Sequence, residues 1–572
     1  MFKVALQGGC TMHRLRRGVP VAPPRRRHPA PARFALAGVF VLALLSACTE
    51  NKEQAPEVVV QPGEYVSPLT RLQRIEGQVQ HLHTDEVRYR DDDKLLQCAY
   101  TFAVLDVKDP ANVSYLAQNL KHTIPDDKRT PGCIHLAWDG DIVYTTHRGN
   151  ISNPTFLSGW DISQKDPEDN NGVRLKPVQL PVLQEPGVSY EGVDVANGNI
   201  YVALREDGLG VYRRDPATNV IARVGSLDGI GNTWGLRVKD DRVYLTDIKG
   251  NLVVVDVSEP TQPKLLGKVA VDGVPRGLDV DGTTAYVAAG SGGLVVVDAA
   301  DPAAPKVVGQ ADTPGTAVRL AYADDHVYVA AWNDTRAYDV ADPAQPRFIG
   351  AVRQTQQSTF GPQAGDLDVG RPPVTVRTLG VAAKDDIVFV GNWWVLYSYR
   401  MHPERLAPNL LLPEEANTID FGPVAAGESK TVPLELTNQG TAPLNLIHNW
   451  TEGDAFAVEP KQVQIAPGDK ATLQLTYSPS APASGEEAAT KVPSTGDDAD
   501  AGGGDTAAWS NLHIMSDDPD YPVRTAFLTA NRPGLGVGRP LPETKVALLD
   551  GGEWSSAQAA GKVQVLAYFA TF

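Results

Sequence analysis

The sequence predicts an all-β chain: a β-propeller of seven blades (six to eight fit the repeat), then an antiparallel β-sandwich, then a short α/β fragment. Three observations predict it. Between residues 67 and 402 a unit of about 42 residues recurs, each copy holding three or four short apolar runs separated by Gly, Asp and Pro turns. From Pro408 that rhythm stops, and alternating strands follow with turn signals every ~8–12 residues. The 572 residues include 52 Gly and 44 Pro, a composition that suits turn-rich β architecture better than helical bundles. With 42% hydrophobic and 21% charged residues the chain has material for several cores, which excludes global disorder.

The first element in chain order is an address. Residues 1–47 hold eight of the 52 basic residues and no acid, and a 12-residue apolar run, Phe34 to Leu45, leads into Leu45-Ser46-Ala47-Cys48. A basic region, a short apolar stretch and small residues before a cut describe a secretory signal, too short to cross a bilayer. The Leu-Ser-Ala-Cys ending resembles the lipobox of bacterial lipoproteins, which implies cleavage before Cys48 and its diacylation. The alternative is an ordinary signal peptide or anchor with a chance Cys. Thr49 stands where an Asp-type inner-membrane retention signal would sit, which points to an outer-membrane lipoprotein, periplasmic or surface-exposed. Met12 is an alternative start. Removing residues 1–47 leaves 44 basic against 69 acidic residues, so the net charge of −17 becomes −25. Such an acidic chain lacks the basic footprint that nucleic acid requires. Residues 48–66 read as a tether, and the acyl anchor as the evident membrane contact.

The propeller rests on three segments that align without gaps: Leu252-Val-Val-Val-Asp256-Val-Ser-Glu-Pro260, Leu294-Val-Val-Val-Asp298-Ala-Ala-Asp-Pro302 and Arg336-Ala-Tyr-Asp339-Val-Ala-Asp-Pro343. Looser copies lie around Asp106, Asp161, Tyr212 and Tyr397, and an apolar strand centred on Tyr144, Tyr201, Tyr244, Tyr286, Tyr328 or Phe389 precedes most of them. One such sheet cannot bury both apolar faces alone, whereas a ring of sheets can. These repeats resemble the LVIVD family of bacterial surface propellers, which implies the fold and a surface location and no set chemistry.

The repeat also picks out deviant positions. Nine residues before the aromatic stands Gly in four units (Gly192, Gly235, Gly277, Gly380), in a strand expected to be innermost, where blades crowd. His135 and Arg319 replace that Gly in two others, and Glu191, Trp234 and Arg276 stand one residue earlier, with Arg377 three before Gly380. These six residues are the candidate lining of the channel mouth, suited to an anionic small molecule or a peptide carboxylate. The alternative is a channel filled by its own charges and water. Cys98 and Cys133 fall in the first two blades, as either a disulfide or two buried thiols. His81-x-His83 reads as a solvated edge, since no convergent Cys or carboxylate set accompanies it. No nucleophile elbow, phosphate-cradling Gly-Lys-Ser/Thr loop or His-Glu-x-x-His occurs, so no catalytic residue, metal site or cofactor is expected.

In the second domain, residues 408–531, Asp420-Phe-Gly422, Thr437-Asn438-x-Gly440, Ile465-x-Pro-Gly468, Tyr477-x-Pro479 and Ser516-Asp-Asp-Pro519-Asp follow one another in order. As a set they resemble the abnormal-spindle/hydin type of immunoglobulin-like domain, a recognition or spacer module. Residues 480–508, rich in Ala, Gly, Ser, Asp and Glu, are expected to be a disordered insertion with no EF-hand spacing. The last segment, 540–572, runs from Arg539-Pro-Leu-Pro542 to Val563-Gln-Val-Leu-Ala-Tyr-Phe-Ala-Thr-Phe572. It resembles the start of a thioredoxin-like redoxin domain: a hairpin, a short helix, Gly561-Lys562 and a buried strand that ends just before the family's redox Cys. The expected function is that of a monomeric, non-enzymatic envelope protein that binds a protein or carbohydrate ligand. The alternative is a thiol or selenol redox protein whose catalytic part lies beyond Phe572.

Overall fold

The repeat period places each blade's strands, and the computed structural model describes residues 65–75, 84–99, 101–120, 133–147, 155–332, 334–352, 377–392, 395–413, 416, 418–479, 508–531, 545–547 and 553–555. All of them belong to one unit spanning 59–572. The leader with Cys48, most of the tether, His81 and His83, residues 480–507 of the insertion and most of 540–572 lie outside the described residues. Among the described residues there is no α-helix.

Seven four-stranded antiparallel sheets form blades 1 to 7. Blades 1 to 6 each take four consecutive strands, over residues 86–120, 133–179, 193–227, 233–270, 277–311 and 319–352. Blade 7 is composite: Thr378–Lys384, Ile387–Asn392 and Leu396–Met401 run outward from the axis, and Leu69–Ile75 returns to pair with Leu396–Met401 as the outermost strand. Inner strands of adjacent blades touch all the way round, including blade 7 against blade 1, so the ring is closed.

The unalternating Leu-Val-Val-Val run has a direct cause. Val253 and Val255 pack into the cluster shared with blade 3, while Leu252 and Val254 pack into the cluster shared with blade 5. Seven such clusters lie between successive blades, each built from two neighbours. A single blade would expose both faces, so burial at roughly 25 cal/mol per Å2 is collected only by the ring. The Asp that ends each run is turn chemistry. Asp256, Asp298 and Asp339 each accept the backbone N–H two residues on, at 2.9, 2.9 and 3.0 Å, which starts the turn to the outer strand. Cys98 and Cys133 are joined by a disulfide, their Cα atoms 5.1 Å apart, linking the second strand of blade 1 to the inner strand of blade 2.

The second domain is a sandwich of a four-stranded and a five-stranded sheet. Its core joins Leu434, Leu436, Leu473 and Leu475 of the first to Leu512, Ile514 and Leu528 of the second, with Phe421, Phe456 and Tyr477 in ring contact. Arg336 of blade 6, 2% exposed, pairs with Asp334 at 3.1 Å and donates to Gln439 of the sandwich at 2.8 Å. Of the C-terminal segment, Lys545–Ala547 and Glu553–Ser555 form an antiparallel pair.

Candidate functional site

Alternation along the seven inner strands sorts their residues into layers. In each blade one aliphatic residue (Val87, Leu136, Val193, Leu236, Leu278, Leu320, Val381) enters an interblade cluster. The residue before it in each strand is Glu86, His135, Gly192, Gly235, Gly277, Arg319 or Gly380, and the residue after it is Arg88, Ala137, Asp194, Arg237, Asp279, Ala321 or Ala382. Glycine is needed where inner strands converge: a Cβ on Gly235 would overlap the Arg276 carbonyl oxygen, and one on Gly277 would stand 2.6 Å from the Arg319 Cα.

The charged members of these layers pair with one another across the axis. Arg88 Nη1 meets Asp194 Oδ1 at 3.0 Å and donates to the Leu136 carbonyl at 3.1 Å. Glu86 accepts the Leu136 N–H at 2.8 Å, with guanidinium nitrogens of Arg237 and Arg319 each 3.7 Å away. Arg237 Nε lies 3.5 Å from Asp279, while the second oxygens of Asp194 and Asp279 accept the backbone N–H of Val238 at 2.9 Å and of Tyr322 at 3.0 Å. Three carboxylates thus face three guanidiniums. Burial alone would raise the Glu86 carboxyl, but Arg319 foremost, then His135 and Arg237, hold it well below its ordinary value. Burial first, then the Arg319 charge, pushes the His135 imidazole down. Arg319 Nη1 lies 3.2 Å from His135 Nδ1 and can only donate, so the neutral ring accepts there and carries its proton on Nε2.

His135 and Arg319 therefore belong to this axial plug, below the mouth where the sequence placed them. His135 is 3% exposed, and Arg319 is tied to the Asp85 carbonyl at 2.5 Å and the Ile134 carbonyl at 3.3 Å. The other four candidates lie at or just before the starts of their blades' inner strands, the end of the ring called the rim below. Buried Glu191 pairs with Arg205 Nε at 2.7 Å, the Arg205 guanidinium lies 4.4 Å above the Trp234 ring, and that of Arg276 lies 5.6 Å from the same ring. On blades 6 and 7, the exposed Arg377 lies 4.7 Å over Trp332.

Sequence reasoning missed Arg205 and Trp332, and both sit at one repeat position. In blade 5 that position is Gly290 (φ 63°), bridged to Ala317 at the start of the next blade. Arg205 (φ 58°) bridges Thr233 and Trp332 (φ 63°) bridges Thr378 in the same way. A left-handed backbone is free for Gly and strained for a large side chain. In the two blades that accept the strain, the strained residue stacks with a neighbour, Arg205 on Trp234 and Trp332 under Arg377. Glu86 and Arg88 were missed because blade 1 carries Leu96 where other blades carry the aromatic, and its first hairpin is one residue longer, which defeats counting from that mark. Asp194, Arg237 and Asp279 were missed too, although each stands directly opposite its blade's tyrosine, a mark the repeat does supply.

Among the described residues no group of three or more His, Cys, Asp or Glu is placed to hold a metal ion. No helix among them is long and apolar enough to cross a membrane. Residues 230–271, 272–313 and 314–354 each match the LVIVD repeat, and residues 413–492 match the HYDIN/CFA65/VesB-like, Ig-like domain. No curated protein matches the chain. Similar solved structures include the computationally designed Ika8 protein (12% identity, 58% of this chain and 99% of that one, TM-score 0.39). Others are the WD40 beta propeller domain of Doa1 (10%, 58% and 96%, 0.39) and the Cps50 (Swd1) beta-propeller domain of Myceliophteria thermophila (11%, 57% and 99%, 0.40). The chain is thus an all-β protein with LVIVD repeats in a propeller and an immunoglobulin-like domain, an architecture that fits binding or scaffolding.

Proposed function

We propose that the chain is an exported, lipid-anchored binding protein of the bacterial cell envelope that takes an anionic ligand at the mouth of its propeller. The observation that carries this reading is the stacking of Arg205 and Arg276 on Trp234 and of Arg377 on Trp332. A guanidinium laid over an indole keeps its N–H edge outward and has little freedom left to lose, which suits the oxygens of a carboxylate. The left-handed strain at Arg205 and Trp332 supports the same reading, since such strain collects at functional sites. A small organic anion and the C-terminus of a peptide share this chemistry.

Calorimetric titration of the full chain with small dicarboxylates and with short peptides, free or amidated at the C-terminus, tests the reading and separates the two sources. Arg276→Ala combined with Arg377→Ala should abolish binding; unchanged affinity would remove the site from the rim. The Leu45-Ser46-Ala47-Cys48 ending supports the anchor. Globomycin should make a precursor accumulate, and normal processing in its presence would refute lipidation. A second reading, the opening of a thioredoxin-like unit, is favoured by the pairing of residues 545–547 with 553–555, where the resemblance puts its hairpin. The DNA beyond the Phe572 codon tests it, through the presence or absence of an in-frame redox motif.

A further inference from the structure

We infer that the outer face of the five-stranded sheet in the sandwich is a binding platform for a neutral, linear glycan. Alternation fixes which residues form that face. Leu512, Ile514, Ala526 and Leu528 point into the core, so the alternate positions, Trp509, His513, Thr525 and Phe527, point away from it. Trp450 stands opposite His513 in the register, their rings 4.7 Å apart and 21° from parallel, and His448 stacks on the same indole at 5.2 Å and 22°. These three rings make one pad. Trp509, 42% exposed, stacks on Phe527 at 6.0 Å and makes a second.

Trp509 lies four residues from His513 along one strand, so at ~3.4 Å per residue the pads are about 13–14 Å apart. The ground between them is polar and preset. Glu452 holds His513 Nε2 at 2.8 Å and accepts from Asn511 Nδ2 at 3.0 Å, while His513 Nδ1 meets the Thr525 hydroxyl at 3.2 Å.

A pyranose ring has a C–H face that settles on the electron-rich face of an aromatic ring, with hydroxyls around its edge. Two ring pads with a hydrogen-bonding row between them match an extended run of a few such units. Charge selects against other occupants. The one carboxylate of the row is already engaged by His513 and Asn511, and a chain of net charge −17 disfavours an anionic membrane. The platform is independent of the propeller mouth, so the arginine variants above leave it intact.

The test is calorimetric titration of the full chain with di- and longer oligosaccharides of the cello, chito and xylo series. At least one series should bind, more tightly as it lengthens. Trp509→Ala should weaken binding about tenfold, the scale of one lost aromatic contact, and Trp450→Ala should abolish it. Trp450→Phe keeps a ring on the half-buried site and should restore most of the affinity, which separates loss of the platform from loss of the fold. Failure of every series to bind would overturn the inference, as would full affinity in Trp450→Ala with Trp509→Ala. So would sedimentation showing that these two changes only dissolve a dimer of the chain.

Discussion

The axis and the rim of the propeller are built from the same inner strands and the turns beside them, yet the two hold their arginines differently. At the axis each guanidinium meets a carboxylate of another blade: Arg88 meets Asp194, Arg237 meets Glu86 and Asp279, and Arg319 meets Glu86. At the rim Arg276 and Arg377 stack on indoles, and Glu191 pairs with Arg205. The difference teaches that residue type alone does not mark a binding site. What matters is the kind of neighbour, a carboxylate of another blade at the axis or the face of an indole at the rim.

The largest expected effect lies at the axis. Glu86→Gln keeps the shape and the bond from Leu136 N–H but removes the charge that Arg319 and Arg237 face, and should cost about 3–5 kcal/mol of stability in urea melts. A change below about 1 kcal/mol would mean that the network is solvated.

Acid should then erode the axis in two steps. His135 titrates below its ordinary 6.5, so its neutral form is favoured in the fold. Its contribution is complete above that pH and is lost as pH falls, because the unfolded chain takes the proton first. Glu86 is held low, so its contribution is complete above its ordinary 4.5 and fades as pH drops further. Melting temperature should therefore fall from near pH 6.5 and more steeply below 4.5. His135→Asn should remove the first step only, and an unchanged profile would show that another group governs it.

The smallest effect on stability belongs to the rim. Trp332→Gly relieves a left-handed residue, worth about 1–3 kcal/mol, and gives up a cation–π contact of about 0.5–1 kcal/mol. Added backbone entropy costs roughly another 0.5–1 kcal/mol. The melt should move little while affinity for the anionic probe falls. A large loss of stability would make Trp332 a structural residue and dissolve the contrast between rim and axis.

Much of this was legible in the sequence because propeller repeats advertise their turns. Asp256, Asp298 and Asp339 fix the period, and the Tyr244, Tyr286 and Tyr328 strands fix the register, so the inner strands and their glycines could be placed by counting. Counting failed where a blade departs from the repeat, which hid Glu86 and Arg88. It could not show depth, so His135 and Arg319 were grouped with rim residues. Arg205 and Trp332 were hidden for another reason: their role depends on a left-handed backbone, and only Gly290 in a sister blade hints at that. The pads of the sandwich depend on cross-strand pairing of Trp450 with His513, and no single-strand pattern reports such a pairing.

The composite blade has a mechanical consequence. Leu69 and Met401 are register partners, so the chain enters and leaves the ring at adjacent points, and the His402 N–H is bonded to the Pro68 carbonyl at 2.8 Å. Arg405 clamps the same corner, reaching the Ser67 carbonyl at 3.2 Å and the Thr70 hydroxyl at 2.6 Å. Tension between the N-terminal arm and the sandwich would thus fall on this corner and on the Arg336–Gln439 bond from blade 6. It would peel an antiparallel pair from its end, one hydrogen bond at a time, the direction in which strands resist least. The clasp that closes the ring is thus loaded from its open end, and Arg405 is the rivet across that end.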